Sequence, residues 1–196
     1  MSRIFCILGK SGSGKDTIYK RLLEDLDDSL DKVVLYTTRP MRSAEKDGDE
    51  YHFVSEEDFR LLSEQGKIVE ERTYNTIHGP WRYFTSRDSL ISETGKNLLI
   101  IGVLESFTAI KASFKESEIV PLYIELDDGI RLERALKRER AQENPKYTEM
   151  CRRFLADQED FSEDKILAAG IDKRFKNEDL ETCISEIKEF IDGYKD

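Results

Sequence analysis

Gly9-Lys10-Ser11-Gly12-Ser13-Gly14-Lys15-Asp16-Thr17 is the stretch on which the reading of this chain turns. It follows the apolar run Arg3 to Leu8 and leads into Tyr19, Leu22, Leu23 and Leu26, which recur at helical spacing. Strand, glycine-rich loop and helix in that order form a phosphate-binding loop. Its glycines let successive N–H groups turn inward onto a polyphosphate. The helix N-terminus adds its positive end, and Lys15 adds a mobile full charge. The plainer alternative is a Gly/Ser turn ahead of a helix, which does not explain a lysine at this position. The residue after Lys15 is ordinarily a Ser or Thr whose hydroxyl binds magnesium. Here it is Asp16, with Thr17 one position late. A carboxylate suits a hard cation such as Mg²⁺, so Asp16 is the candidate metal ligand. Otherwise it simply favours the positive end of the helix, worth about 0.3–1 kcal/mol.

Outward from the loop, short apolar runs alternate with helical patterns. Arg3 to Leu8, Val33 to Tyr36, Leu98 to Val103 and Pro121 to Leu126 read as strands. The first, third and fourth are nearly continuous in apolar character, as strands buried on both faces are. Leu180, Ile184, Ile187 and Ile191 form one further helical stripe, and Tyr147, Met150, Cys151, Phe154 and Leu155 another. The alternation predicts an α/β fold, a parallel sheet with helices on both faces. Arg39 to Ile77 breaks the rhythm. There a polar segment leads to Tyr51-His52-Phe53, Ser55 opens a short helix with Asp58 in capping-box position, and Lys67 to Tyr74 suggests a strand. This reads as a small inserted lobe.

The 196 residues suit one domain at about 150 residues each. Lys plus Arg number 31 against 41 Asp plus Glu, a formal charge of −10, which argues against a nucleic-acid polymer as partner. The longest clean apolar run, Leu98 to Leu104 with one Gly, is too short to span a bilayer. Three cysteines without paired spacing, and no signal-peptide layout, suggest reduced thiols and a cytoplasmic protein.

A second cluster then gives the loop its context: Thr37-Thr38-Arg39-Pro40-Met41-Arg42, then Glu45, Asp47-Gly48 and Tyr51-His52-Phe53-Val54-Ser55. Together with the loop, with Glu70, with Arg134 and Arg138, with Arg153 ahead of Ala156 and Glu159, and with Asn177-Glu178-Asp179-Leu180, it resembles the guanylate kinases over nearly the whole chain. The resemblance implies a P-loop kinase core at about 1–37 and 86–196, an acceptor-binding lobe at about 38–85 and a helical lid at about 134–150. It implies ATP as phosphoryl donor with Mg²⁺, bound at Gly9 through Thr17, and a nucleoside monophosphate, GMP, as acceptor. Arg39, Arg42 and Tyr51 would hold the acceptor phosphate, since two arginines three apart can fork onto one anion. Glu70 would accept from guanine N1 and N2, although beside Glu71 it also fits a solvated surface. Tyr83 is the choice for a further phosphate contact, with His78 and Trp81 as alternatives. Lys15, Arg134, Arg138 and Arg153 would balance charge on the transferring group. Positions 131, 134 and 138 share a helix face, and a solvated helix surface is the bland account of each arginine taken singly.

The chain departs from the family pattern in three respects. Ile101 and Val103 stand where guanylate kinases carry Asp-x-Asp, Leu35 where a serine contacts the guanine oxygen, and Asp16 where a hydroxyl is usual. Two other readings therefore stay open: a kinase for another small phosphate ester, such as a ribose bisphosphate, and a noncatalytic nucleotide-binding module. A monomer or homodimer is expected.

Overall fold

The computed structural model describes residues 2–43, 45–76, 79–114 and 119–194. Strand β1 (Ile4–Leu8) is buried along its whole length, and the loop at its end feeds α1 (Lys15–Asp25). Next come β2 (Leu30–Lys32), β3 (Tyr36–Thr37), β4 (His52–Phe53), α2 (Glu56–Glu64), β5 (Ile68–Thr76) and β6 (Gly79–Ser86). The chain then forms β7 (Asn97–Ile101), α3 (Leu104–Ser113), β8 (Ile119–Glu125), α4 (Asp128–Arg140) and α5 (Tyr147–Asp160). It closes with α6 (Glu163–Ala168), β9 (Arg174–Lys176) and α7 (Leu180–Asp192).

Five strands make one parallel sheet in the order β2-β7-β1-β8-β9, as the alternating pattern requires. β1 pairs on both sides, Ile4 opposite Leu98 and Ile119. Side chains alternate across a strand, so Ile4, Cys6 and Leu8 enter one core while Phe5 and Ile7 enter the other. The first core is closed by Phe107 and Ile110 of α3 and Ile166 of α6. The second is closed by Ile18 and Leu22 of α1 and by Cys183, Ile184, Ile187 and Ile191 of α7. A second sheet, β4-β3-β6-β5, lies between β2 and β7 in the sequence and carries the inserted segment. Its α2 starts at a full capping box: Asp58 N–H donates to Ser55 Oγ (3.1 Å), and Ser55 N–H donates to Asp58 Oδ2 (2.9 Å).

One expectation is corrected and another is qualified. Val33 to Tyr36 is not a strand: the sheet edge is Leu30–Lys32, extended only by Val33 N–H bonding to Leu99 O. The chain then crosses over, and Tyr36–Thr37 joins the other sheet. β2 is an edge strand, so Asp31 and Lys32 sit in it without cost and hide it from an apolar search. The Tyr147 to Leu155 stripe does form a helix, but α5 has no fully buried residue, Leu155 is 69% exposed and Cys151 lies on the surface. Only Met150 and Phe154 of that stripe turn inward.

These two stripes should separate cleanly in chemical denaturation. Ile187→Ala, from a fully buried position on α7, is expected to cost about 2–5 kcal/mol. Leu155→Ala should stay within about 0.5 kcal/mol of the native protein.

Candidate active site

The loop after β1 is built for an anion. Gly12 and Gly14 hold φ of 82° and 90°, a region that side chains resist. At Gly14 the space is closed as well, because a Cβ would stand 2.2 Å from Asn177 Nδ2. That amide donates to Ser13 O (2.7 Å), while Asn177 N–H bonds Glu125 O (2.9 Å), so the start of the last helical segment fixes the loop. No side chain caps α1, which leaves first-turn N–H groups for a ligand. Lys15 lies at this end with its ammonium 4.0 Å from Asp16. Asp16 is 76% exposed, and Thr17 is exposed too.

The back of the loop is clamped by α4 and α5. Arg131, 1% exposed, donates through Nη1 to Ser11 O (2.8 Å) and through Nε and Nη2 to Asp128 Oδ1 (3.0 and 2.5 Å). Ser11 N–H in turn donates to Asp157 Oδ2 (2.7 Å). Lys10 turns away from the loop mouth toward Gln158 (2.5 Å) and Asp128 (3.7 Å). Arg131 and Lys10 therefore serve the loop's shape, and Arg131 shares little with Arg134 beyond helical spacing. Arg134 is exposed, with Nη1 close to the space over Gly14. Arg138 and Arg153 line one cleft between α4 and α5, together with Ser11, Lys146 and Phe154. Among the described residues, Arg42, Arg134 and Arg138 make no ion pair. Arg153 is held by Glu149 (2.9 Å), which also takes Arg152 (2.8 Å). The two arginines hold the Glu149 carboxyl down to about 2. Arg152, missed in the sequence, lies near enough to feel the Tyr74 phenol of β5. Its signal was its neighbour on the same helix.

In the second sheet, pairing of β5 with β6 sorts the side chains by face. Glu70 stands opposite Thr85, Arg72 opposite Tyr83 and Tyr74 opposite Trp81. Glu71 and Phe84 face the other way: Glu71 pairs with Arg82, and Phe84 meets Phe59 of α2. Glu70 is therefore not a surface residue. Its side chain is 6% exposed and accepts from Thr85 Oγ1 (2.7 Å) and Ser106 Oγ (3.0 Å). Leu35 and Ile101, at positions where the family pattern is polar, pack against the two cores. Val103 takes the N-cap position of α3, without a capping side chain.

Arg39, Tyr51 and Tyr83 come together. The Tyr51 and Tyr83 rings are 5.6 Å apart, and the Arg39 guanidinium lies 5.8 Å from the Tyr51 ring centre. Arg39 is 4% exposed and grips Glu45 with both terminal nitrogens (2.9 and 2.8 Å). That pair, with the Arg42 N–H at 2.8 Å, holds the Glu45 carboxyl below its ordinary value. Burial, with Tyr83 adding to it, raises the Tyr51 phenol, so it is a neutral donor near pH 7. Arg42 itself is exposed. His78 lies outside the described residues. A cleft of about 520 Å³ separates this lobe from the core, bordered by Arg72, Tyr74, Val103, Glu105 and Lys165.

Two outcomes follow from this geometry. Gly14→Ala should abolish nucleotide binding, read by isothermal titration, because the methyl group displaces Asn177 and the φ is strained. Glu45→Gln should lower the thermal midpoint at pH 7. The folded carboxyl titrates below its ordinary 4.5, so its contribution is complete above that value and is lost as pH falls through the lower folded one. The gap between the two proteins should therefore narrow below about pH 4.5.

The family model described as guanylate kinase matches residues 1–194. A guanylate kinase of Porphyromonas gingivalis is 28% identical over 194 residues, covering 97% of both chains. One from Thermotoga maritima is 33% identical over 142 residues, 70% of this chain and 66% of that one. One from Schizosaccharomyces pombe reaches 50% over 64 residues, 33% of this chain and 32% of its own. The matched stretch thus spans about a third of the Schizosaccharomyces protein and just under two thirds of the Thermotoga protein. The crystal structure of a guanylate kinase from Anaplasma phagocytophilum shares the fold, with a TM-score of 0.66 over 98% of this chain and 85% of that one at 20% identity. A match extending from the first residue beyond the end of α7, on a fold that positions the loop and the inserted sheet alike, leaves one assignment: the chain belongs to the guanylate kinase family.

Proposed function

We propose that this chain transfers the terminal phosphoryl group of ATP to GMP, giving ADP and GDP. One observation carries the reading. The chain that builds an uncapped anion loop at α1 also builds a sheet face with Glu70 buried and Arg39, Tyr51 and Tyr83 gathered. In this reading ATP phosphates lie in the loop from Gly9 to Thr17, with Lys15 on the transferring group. Arg134 and Arg138, which make no ion pair among the described residues, offset the negative charge that develops in transfer, and Arg153 joins them once it leaves Glu149. Arg42 and Tyr51 bind the acceptor phosphate, with Tyr83 beside them and Arg39 held in place by Glu45. Phosphoryl transfer needs little covalent help, so positioning and positive charge supply most of the catalysis. The core is then about 1–37 and 86–196, the acceptor lobe about 38–85 and the lid about 134–150.

Magnesium fits the residues present in one way only. Among the described residues no three metal-binding side chains cluster, so the protein would offer few ligands and phosphate and water oxygens would complete the set. Asp16, exposed at the loop's edge, offers a single hard ligand, and Mg²⁺ tolerates that by keeping its waters. When bound, the ion offsets charge on the phosphates. We further propose a cytoplasmic monomer or homodimer with no nucleic-acid or membrane partner. The three free thiols support the compartment, and among the described residues no helix is long and apolar enough to cross a membrane.

A second reading, a kinase for another small phosphate ester such as ribose 1,5-bisphosphate, draws on Leu35 and Ile101, whose apolar packing removes polar groups from the base side. ADP release from ATP with GMP, dGMP, AMP, UMP and ribose 1,5-bisphosphate decides between them. GMP and dGMP should lead, and preference for the bisphosphate would overturn the assignment. In the same assay Asp16→Asn should weaken the magnesium dependence of ATP binding. An unchanged dependence would return Asp16 to a role at the helix end.

A further inference from the structure

Arg72 is the unexplained cation of the inward sheet face. It is two residues from Glu70 on β5, so both project from the same side. Its Nε is buried without a hydrogen-bond partner. Glu70 Oε2 is 3.5 Å away, an ion-pair contact that lacks hydrogen-bond geometry. The side chain lies where two spaces meet: the cleft beside Tyr74 and Val103, and a small pocket walled by Cys6, Leu35, Glu70, Thr85, Ile101 and Ser106.

The donors around that small pocket can be traced one by one. Thr85 and Ser106 both give their hydroxyl protons to Glu70. Leu35 and Ile101 have none to give, Gly102 N–H is bonded to Ile7 O, and a thiol such as Cys6 is a weak donor. Arg72 is the one strong side-chain donor left uncommitted among the described residues there. Glu70 retains acceptor capacity, since each carboxylate oxygen can take a second bond. An acceptor pair thus stands directly beside a donor fork.

Guanine is the base with the complementary edge. Its N1–H and N2–H₂ are adjacent donors, and O6 and N7 are adjacent acceptors that a guanidinium meets with two bonds. Adenine places an N6–H₂ donor where the fork expects O6, so one of the two bonds is lost. We propose that Arg72 is a specificity-determining residue that reads O6 and N7 of the acceptor guanine while Glu70 accepts from N1 and N2. The proposal rests on the reading of this chain as a GMP kinase and deepens it. It also accounts for Leu35: with Arg72 donating from the strand, no hydroxyl is required at that position.

The alternative is that Arg72 only balances the Glu70 charge, and 7-deaza-GMP separates the two. That analogue keeps O6, N1 and N2 but has a carbon in place of N7. Wild-type protein should favour GMP over it by about 10-fold in kcat/KM. Arg72→Met keeps the apolar stem and should bring that ratio near one, raising KM for GMP by about 10- to 100-fold with much less change in kcat. Arg72→Lys should fall between. A wild-type ratio near one, or a ratio that survives in Arg72→Met, overturns the role of Arg72. If Arg72→Met does not fold, the wild-type ratio and Arg72→Lys decide. Phosphorylation of GMP with no N7 dependence defeats this inference alone. Wild-type protein that ignores GMP and phosphorylates another acceptor defeats the GMP reading with it.

Discussion

The Arg131 guanidinium holds the glycine-rich loop after β1 in the shape that everything else assumes. It is enclosed between Ser11 O, Asp128 and the Phe154 ring, whose centre is 4.9 Å away, with Asp157 at 3.6 Å. Two carboxylates approach the back of the loop from different helices, and one buried cation separates them. Without it Asp128 and Asp157 would repel, and Ser11 would lose a partner at its carbonyl while its N–H still needed Asp157. The loop's inner face is thereby left to the glycines and Lys15. A buried charge of this kind contributes less to overall stability than to a single, defined arrangement, because its desolvation offsets most of its attraction.

Local features were the legible ones. The β1 strand, the loop and the start of α1 are contiguous, so their order alone specifies their geometry, and the Ser55–Asp58 box is written in four residues. What stayed hidden depends on partners distant in sequence. Glu70 and Glu71 are indistinguishable as letters, yet pairing with β6 buries one beside Thr85 and sends the other to Arg82. The same parity would have isolated Arg72 from its charged neighbours. Arg131 and Arg134 share helical spacing, but only the first finds carboxylates waiting behind the loop. The α5 stripe is helical as its spacing predicts, but its Met150 and Phe154 line a cleft between two helices and none of its residues is fully buried.

The inserted sheet solves a different problem. Its outward face is a small core of its own, Phe84 against Phe59 with Arg82 lying 4.4 Å over the Phe59 ring. Its inward face carries polar groups that would be costly to bury unpaired. Most are paired in advance, Glu70 with two hydroxyls and Arg39 with Glu45, so this face is pre-organised.

The distribution of the three thiols has a practical side. Cys6 lies on the central strand β1 with its side chain in the first core, where burial and then the Glu70 charge keep it protonated, and burial pushes Cys183 up to about 11. Neither offers a thiolate to an alkylating reagent near neutral pH. Cys151 is exposed on α5, next to Arg152, which feels the Tyr74 phenol of the second sheet. A maleimide dye or spin label added to the unaltered protein therefore has one address. That address lies on α5, the helix that carries Arg153, so a distance probe can be installed there without a single substitution.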